Sequence, residues 1–197
     1  MAIEQTYVMI KPDGVKKGFH FMVPKSLSAD KLSCSEIYYC QLNADKVDEH
    51  YSHICHKGFY AKQVRPYMTS GTVACFIATG ENAVAIVRGK AGPTNPRDCR
   101  KEHFRNSGVF EEDTGRLENI LHCSDSIEAA QIEISRFMPT SIILEEKQKL
   151  LRLVGAKGTE MVKNLAEVKE KLSSLSTIKV STLPMIVKNA EPVSAHR

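Results

Sequence analysis

"GTVACFIAT", Gly71–Thr79, decides the fold. From Val73 to Ala78 its apolar character is nearly continuous, which is the pattern of a strand buried on both faces rather than of one with a wet side. Working outward, "TYVMI" (Thr6–Ile10) is β-branched and aromatic and runs into "KPDG", whose Pro, Asp and Gly make a turn. "SEIYYCQL" (Ser35–Leu42) reads as another strand and "LENIL" (Leu117–Leu121) as a weaker one.

Helical patterns separate these strands. "NADKVDEHYSHI" offers Asn43 as a cap, with Val47, Tyr51 and Ile54 at helical spacing. Phe59–Met68 predicts a helix disturbed near its end by Pro66, and "ENAVAIVRG" a short one stopped by Gly89. Ile127, Ala130, Ile134 and Phe137 mark a helical face, opened by Asp125 with Glu128 as an acidic capping box. Strand, helix and strand alternate, with two strands in the middle, which fits an α+β sandwich with a mainly antiparallel sheet. The stretch from Gly89 to Arg116 is rich in Gly, Pro, Asn and Arg and has no periodicity. A loop that long in a compact domain is usually functional.

A chain of 197 residues supports one good core, and a second full domain is not expected. The net charge of +4 is mild and dispersed, so it suits anionic ligands such as nucleotides but argues against a nucleic-acid binder. The six cysteines include no Cys-x-x-Cys pair and read as reduced thiols of a cytoplasmic protein, not as a zinc site. No apolar run approaches the ~20 residues that span a bilayer, so no membrane partner is expected, and "MAIEQ" reads as neither amphipathic nor basic.

"NILHCSDS" (Asn119–Ser126) sets His122 just before a Ser-Asp-Ser cluster and a new helix. As bare residues, His122 is a loop histidine and the serines are caps. Several separate segments, however, offer what phosphoryl transfer requires: a nucleophile, cations around phosphates, and a platform for a base. "KPDGV" (Lys11–Val15), "HY" (His50, Tyr51), "YMTSG" (Tyr67–Gly71), "TNP" (Thr94–Pro96) and "NILHCSDS" with Glu133 occur in the order found in nucleoside diphosphate kinases, and over roughly residues 3–138 the chain resembles that family.

The resemblance implies a ferredoxin-like antiparallel sheet with helices packed on it. It also implies transfer of a γ-phosphate from a nucleoside triphosphate to a nucleoside diphosphate through phosphohistidine at His122, with ping-pong kinetics and broad base specificity. By the same resemblance, Glu133 holds the other ring nitrogen of His122, Ser124 joins that network, and Tyr51 packs nearby. Lys11 reaches the sugar and a phosphate, and Asn119 reads ribose hydroxyls. Arg88, Thr94 and Arg105 bind phosphate, the guanidinium groups as paired donors. Phe59 stacks on the base, with Tyr60 as the alternative because the alignment slips by one residue there. Mg²⁺ arrives on the nucleotide rather than in a protein cage, with Asp125 either touching it through water or serving as a cap. A homo-oligomer is implied as well.

Departures from the family pattern are local. Cys123 replaces a glycine. Glu118 stands where a basic residue is usual, with Arg116 as possible compensation. "NSGVFEEDTGRLE" lengthens the loop, Phe104-Arg105-Asn106 alters the usual setting of the second arginine, and Pro24 interrupts the first helix. After a domain of residues 1–138, a helical extension is expected over 139–175 and a flexible tail over 176–197. Within the extension, Met161, Leu165, Val168, Leu172 and Leu175 form a stripe suited either to folding back on the domain or to docking a protein partner. The alternative to an active kinase is a catalytically weak nucleotide-binding module that docks through this helix.

Overall fold

The computed structural model describes residues 3–154, which belong to one compact unit. The stripe from Met161 to Leu175 and the tail lie outside the described residues. Strand β1 (Ile3–Ile10) is followed by short α1 (Pro12–Lys16) and α2 (Phe19–Ala29). Strands β2 (Ser33–Cys34) and β3 (Tyr38–Gln41), α3 (Ala44–His50), a π-helical turn (Tyr60–Val64) and α4 (Arg65–Thr69) come next. Then follow β4 (Thr72–Glu81), α5 (Ala83–Ala91), the hairpin β5 (Val109–Glu111) and β6 (Arg116–Glu118), β7 (Leu121–Cys123), α6 (Ile127–Phe137) and α7 (Thr140–Val154).

The main sheet has the order β2-β4-β1-β7, with β3 continuing the β2 edge along β4, and every pairing is antiparallel. Taking β2 and β3 as one broken edge strand gives the ferredoxin-like arrangement. The quoted stretch becomes β4, whose interior is buried without a break because the sheet is covered on both sides. Alternate residues feed two cores. Val8, Ile10, Ala74, Phe76 and Ala78 face one side, with Val23, Leu27 and Val87. Tyr7, Met9, Val73, Cys75 and Ile77 face the other, with Val47, Ala130, Ile134 and Phe137.

Several expectations are corrected. "LENIL" is not one strand: β6 and β7 are separated by a turn at Asn119 and Ile120, and His122 lies inside β7. The strand expected over Ser35–Leu42 shortens to β3. The helix expected over Phe59–Met68 forms, but its first part is a π-helical segment (Tyr60–Val64) that runs without a break into α4, where Pro66 stands. Helix α5 runs through Gly89 and ends at Gly92, whose φ of +80° a side chain would strain, and where a Cβ would meet the His103 ring at 2.5 Å. Pro24 lies inside a continuous α2 rather than ending it. The cap of α6 is Ser126, whose Oγ accepts from the Ala129 N–H at 3.1 Å, not Asp125. The long loop carries 3₁₀ turns at Pro96–Asp98 and Phe104–Ser107 and then the hairpin. Asn43 caps α3 as expected, accepting from the Lys46 N–H at 2.9 Å.

Helix α7 folds onto the sheet with Ile142 and Glu146 buried; the Glu146 carboxylate binds Lys149 at 2.7 Å and accepts from Thr79 at 3.5 Å.

Candidate active site

The register of β1 and β7 fixes the direction of His122. Met9 stands opposite His122, while Val8 and Ile10 stand opposite Cys123 and Leu121. Opposed residues in an antiparallel ladder point to the same face. His122 therefore faces the side covered by α3 and α6, and Cys123 is buried in the other core. Burial also raises the Cys123 thiol pKa, with Arg105 opposing, so this cysteine is not a reactive neighbour on the histidine's own face.

His122 Nε2 lies 2.9 Å from Glu133 Oε1 on α6, and Ser124 Oγ donates to Glu133 Oε2 at 2.6 Å while accepting from the Tyr7 N–H at 3.2 Å. Burial works to raise the Glu133 pKa, but the hydrogen bonds from His122 and Ser124 outweigh it and hold this carboxyl below its usual range. An ionised carboxylate only accepts, so Nε2 carries the proton and Nδ1 has the free lone pair. The ring is 19% exposed, enough for a reactant to reach it.

His50, the last residue of α3, stands edge-on to the His122 ring with centroids 4.6 Å apart, and also packs on Tyr51 and Phe137. Burial, then the neighbouring His122, lowers its pKa to about 3. Tyr51 is partly buried beside it, its hydroxyl pKa raised mainly by burial.

A second group forms around the turn before β7. Lys11 Nζ donates to Asn119 Oδ1 at 2.5 Å, and Asn119 Nδ2 donates to the Thr94 carbonyl at 2.9 Å. Burial lowers the Lys11 pKa to about 7, with Arg105 adding to the effect and Asp13 opposing it. The Leu121 N–H donates to the Asn119 carbonyl at 2.7 Å across Ile120, whose φ is +69°. This is the rare, strained γ-turn, in a residue type that avoids left-handed backbone. Such a conformation costs on the order of 1–3 kcal/mol and persists when its surroundings over-determine it. Here they do: the Ile120 N–H donates to Asp13 Oδ2 at 3.1 Å, and its carbonyl accepts from the Lys11 N–H at 2.8 Å. Asp13 Oδ1 accepts from the Tyr67 hydroxyl at 2.5 Å. A Cβ on Gly14 would meet the Ile120 carbonyl oxygen at 2.5 Å. "KPDG" is thus a clamp on the turn that aims Asn119 and starts the histidine strand.

The two arginines flank the same strand. Arg105 donates through Nε and Nη2 to the Leu121 carbonyl, at 3.2 and 3.1 Å, and through Nη1 to the Gly92 carbonyl at 2.7 Å. Two of its five N–H groups remain for another acceptor. Arg88, in the last turn of α5, is half exposed and ion-paired with Asp125. Thr94 is exposed. Of the two stacking candidates, Tyr60 is 1% exposed and donates to Asp48 Oδ1 at 2.6 Å, whereas Phe59 is 43% exposed. Only Phe59 presents a free ring. Glu118 is neutralised where it stands: Arg116 donates to its Oε1 through Nε at 2.9 Å and Nη2 at 2.7 Å, and to Glu111 at 3.0 Å.

The structure therefore gathers His122, Glu133, Ser124 and Tyr51 in one group and Lys11, Asn119 and the Thr94 backbone in an adjacent one, with Arg105 bridging to the strand between them. Sequence reasoning assigned no part in the site to His50, Asp13, Tyr67 or Ile120. All four sat inside quoted motifs, which was the available signal; nothing in the residue type of Ile120 pointed to its left-handed backbone.

Comparison with known proteins agrees with this arrangement. The family model described as nucleoside diphosphate kinase matches residues 4–143. A nucleoside diphosphate kinase of Saccharolobus islandicus is 32% identical over 141 residues, covering 72% of this chain and 99% of that protein. One from Archaeoglobus fulgidus is 36% identical over 135 residues, covering 68% and 86%. The crystal structure of the Aquifex aeolicus nucleoside diphosphate kinase superposes with a TM-score of 0.62 at 26% identity, covering 72% of this chain and 99% of that one. The Encephalitozoon cuniculi enzyme superposes with a TM-score of 0.62 at 28% identity, covering 71% and 91%. With the family model spanning well over half its length, the chain belongs to the nucleoside diphosphate kinase family.

Proposed function

We propose that this protein is a nucleoside diphosphate kinase in which His122 carries the phosphoryl group. The observation that carries the reading is the tethering of His122 Nε2 by an ionised Glu133, which leaves Nδ1 as the nucleophilic nitrogen. In the first half-reaction the Nδ1 lone pair attacks the γ-phosphorus, the bond to the β,γ-bridging oxygen breaks, and the nucleoside diphosphate leaves. In the second, a terminal oxygen of the acceptor diphosphate attacks the phosphorus and the P–N bond breaks. Glu133 stabilises the positive charge that grows on the imidazole during attack, and Ser124 holds Glu133 in place.

Lys11, Arg88, Arg105 and Thr94 neutralise and orient the phosphates, Asn119 and Lys11 contact the sugar, and Tyr51 supports the site beside the histidine. Phe59 stacks on the base, and stacking tolerates every base because each has a π-face. Mg²⁺ bound to the nucleotide would add charge neutralisation. Exposed Asp125, with one oxygen already on Arg88, suits contact through water, whereas the imidazoles of His50 and His122 do not suit Mg²⁺.

The protein is read as a cytoplasmic homo-oligomer. Among the described residues no helix is long and apolar enough to cross a membrane. Exposed Phe21, Met22 and Tyr39 offer apolar surface for self-association. The acting domain is residues 1–138, with α7 beginning the extension and the later stripe offered to a partner. Initial rates measured with donor and acceptor varied together should give parallel double-reciprocal lines; intersecting lines would argue for direct transfer without an enzyme-bound phosphate.

A further inference from the structure

His50 lies outside the phosphotransfer mechanism, yet it completes a distinct constellation. One ring nitrogen of His50, one of His122 and a carboxylate oxygen of Glu133 all lie within 4.8 Å of one another, contributed by α3, β7 and α6. His50 and Glu133 are each 9% exposed, and among the described residues the His50 side chain makes no hydrogen bond. Two imidazoles and a carboxylate form a ligand set for zinc and its neighbours in the first transition row, and a three-ligand site leaves a fourth position open. Bonds of ~2.0–2.1 Å to a tetrahedral ion place ligand atoms ~3.3 Å apart. Closing the observed spread therefore takes at most about 1.5 Å, within reach of a rotation of the His50 ring.

We propose that His50, His122 and Glu133 form an inhibitory site for a zinc-class divalent cation that competes with phosphorylation of His122. Binding takes the Nε2 lone pair of His122, the atom that faces Glu133. The Nε2 proton moves to Nδ1, so the ring stays neutral and no proton is lost. Glu133 exchanges its hydrogen bond for a bond to the ion. The nitrogen that attacks phosphorus then carries a proton and has no lone pair to offer. Inhibition rests on His122 being the phosphate carrier; the cation site does not.

Co²⁺, which is visible where zinc is silent, tests the site in the full-length protein with Mg²⁺ present. One equivalent should give d–d bands in the visible range without thiolate charge transfer, and zinc should displace it. His50→Gln should weaken Co²⁺ binding at least about tenfold, since loss even of a group supporting a ligand costs 10- to 100-fold. Bands unchanged in this variant, or accompanied by thiolate charge transfer, would place the ion elsewhere, as on exposed Cys55 with its neighbours His53 and His56, and would overturn the proposal. Long-range ¹H–¹⁵N spectra of the unmutated protein need no variant to fold. Zinc should shift the rings of His50 and His122 together and convert His122 from the Nε2–H to the Nδ1–H tautomer. Shifts confined to His53 and His56 would refute the site. Zinc binding at His50 and His122 that left phosphohistidine formation at its metal-free level would refute inhibition. Absence of phosphohistidine without zinc would count against the kinase reading alone.

Discussion

Asp13 and Ile120, 107 residues apart in sequence, are joined by a 3.1 Å hydrogen bond from the Ile120 N–H to a buried carboxylate that also accepts from Tyr67. This contact holds the strained turn that places Asn119 on one side and launches the His122 strand on the other. The site is built on backbone geometry that β7 alone would not adopt.

Removing the space for that turn should damage fold and site together. In Gly14→Ala the new methyl meets a carbonyl oxygen of the backbone, not a movable side-chain tip. Overpacking of this kind costs typically about 1–3 kcal/mol. Urea denaturation should show a loss in that range, with nucleotide affinity reduced as Asn119 shifts.

Glu133→Gln keeps the shape of the side chain but removes its charge. The imidazolium character that develops at His122 loses its partner, so kcat should fall about 10²-fold while nucleotide affinity changes little, as expected for an interaction strengthened in the transition state. Ser124→Ala should have a smaller effect in the same direction. Rapid-quench measurement of the first half-reaction separates this from changes in binding.

Lys11 makes the nucleotide complex sensitive to pH. Burial lowers its pKa to about 7, so near pH 8 much of it is neutral in the free protein. A bound polyphosphate favours the charged form and raises that pKa toward the ordinary lysine value of ~10.4. Nucleotide binding should therefore take up part of a proton between about pH 7 and 10, and uptake should disappear in Lys11→Met. Calorimetry in buffers of different ionisation enthalpy measures this directly.

The β5–β6 hairpin is predicted to tolerate Glu118 because Arg116 sits on it. Arg116→Ala leaves that carboxylate uncompensated beside Asn119, and KM for nucleotides should rise about 3- to 10-fold at low salt and less at high salt. Arg116→Ala with Glu118→Gln should recover most of the loss.

What could be read from the chain followed from how far each feature depends on neighbours in sequence. The unbroken apolar run of β4 and the Asn43 cap are local patterns and were legible, whereas the turn expected at "KPDG" is the first turn of α1, opened by Pro12. The γ-turn at Ile120 was not, because its energy comes from Asp13 and Lys11 far upstream. The cap of α6 was misassigned to Asp125 because Ser124, Asp125 and Ser126 are three cap-competent residues in a row, and only backbone direction distinguishes them. Pairing of Arg116 with Glu118 was anticipated, but the hairpin that brings Glu111 to the same guanidinium was not. His50 was visible as part of a motif, but its stacking on His122 depends on α3 and β7 meeting across the sheet face.

The central claim is that His122 Nδ1 becomes phosphorylated. Incubation with γ-labelled ATP and Mg²⁺ should place acid-labile label on the protein, discharged by any nucleoside diphosphate, with none on His122→Ala. Unlabelled wild-type protein, or label undiminished in His122→Ala, would contradict it.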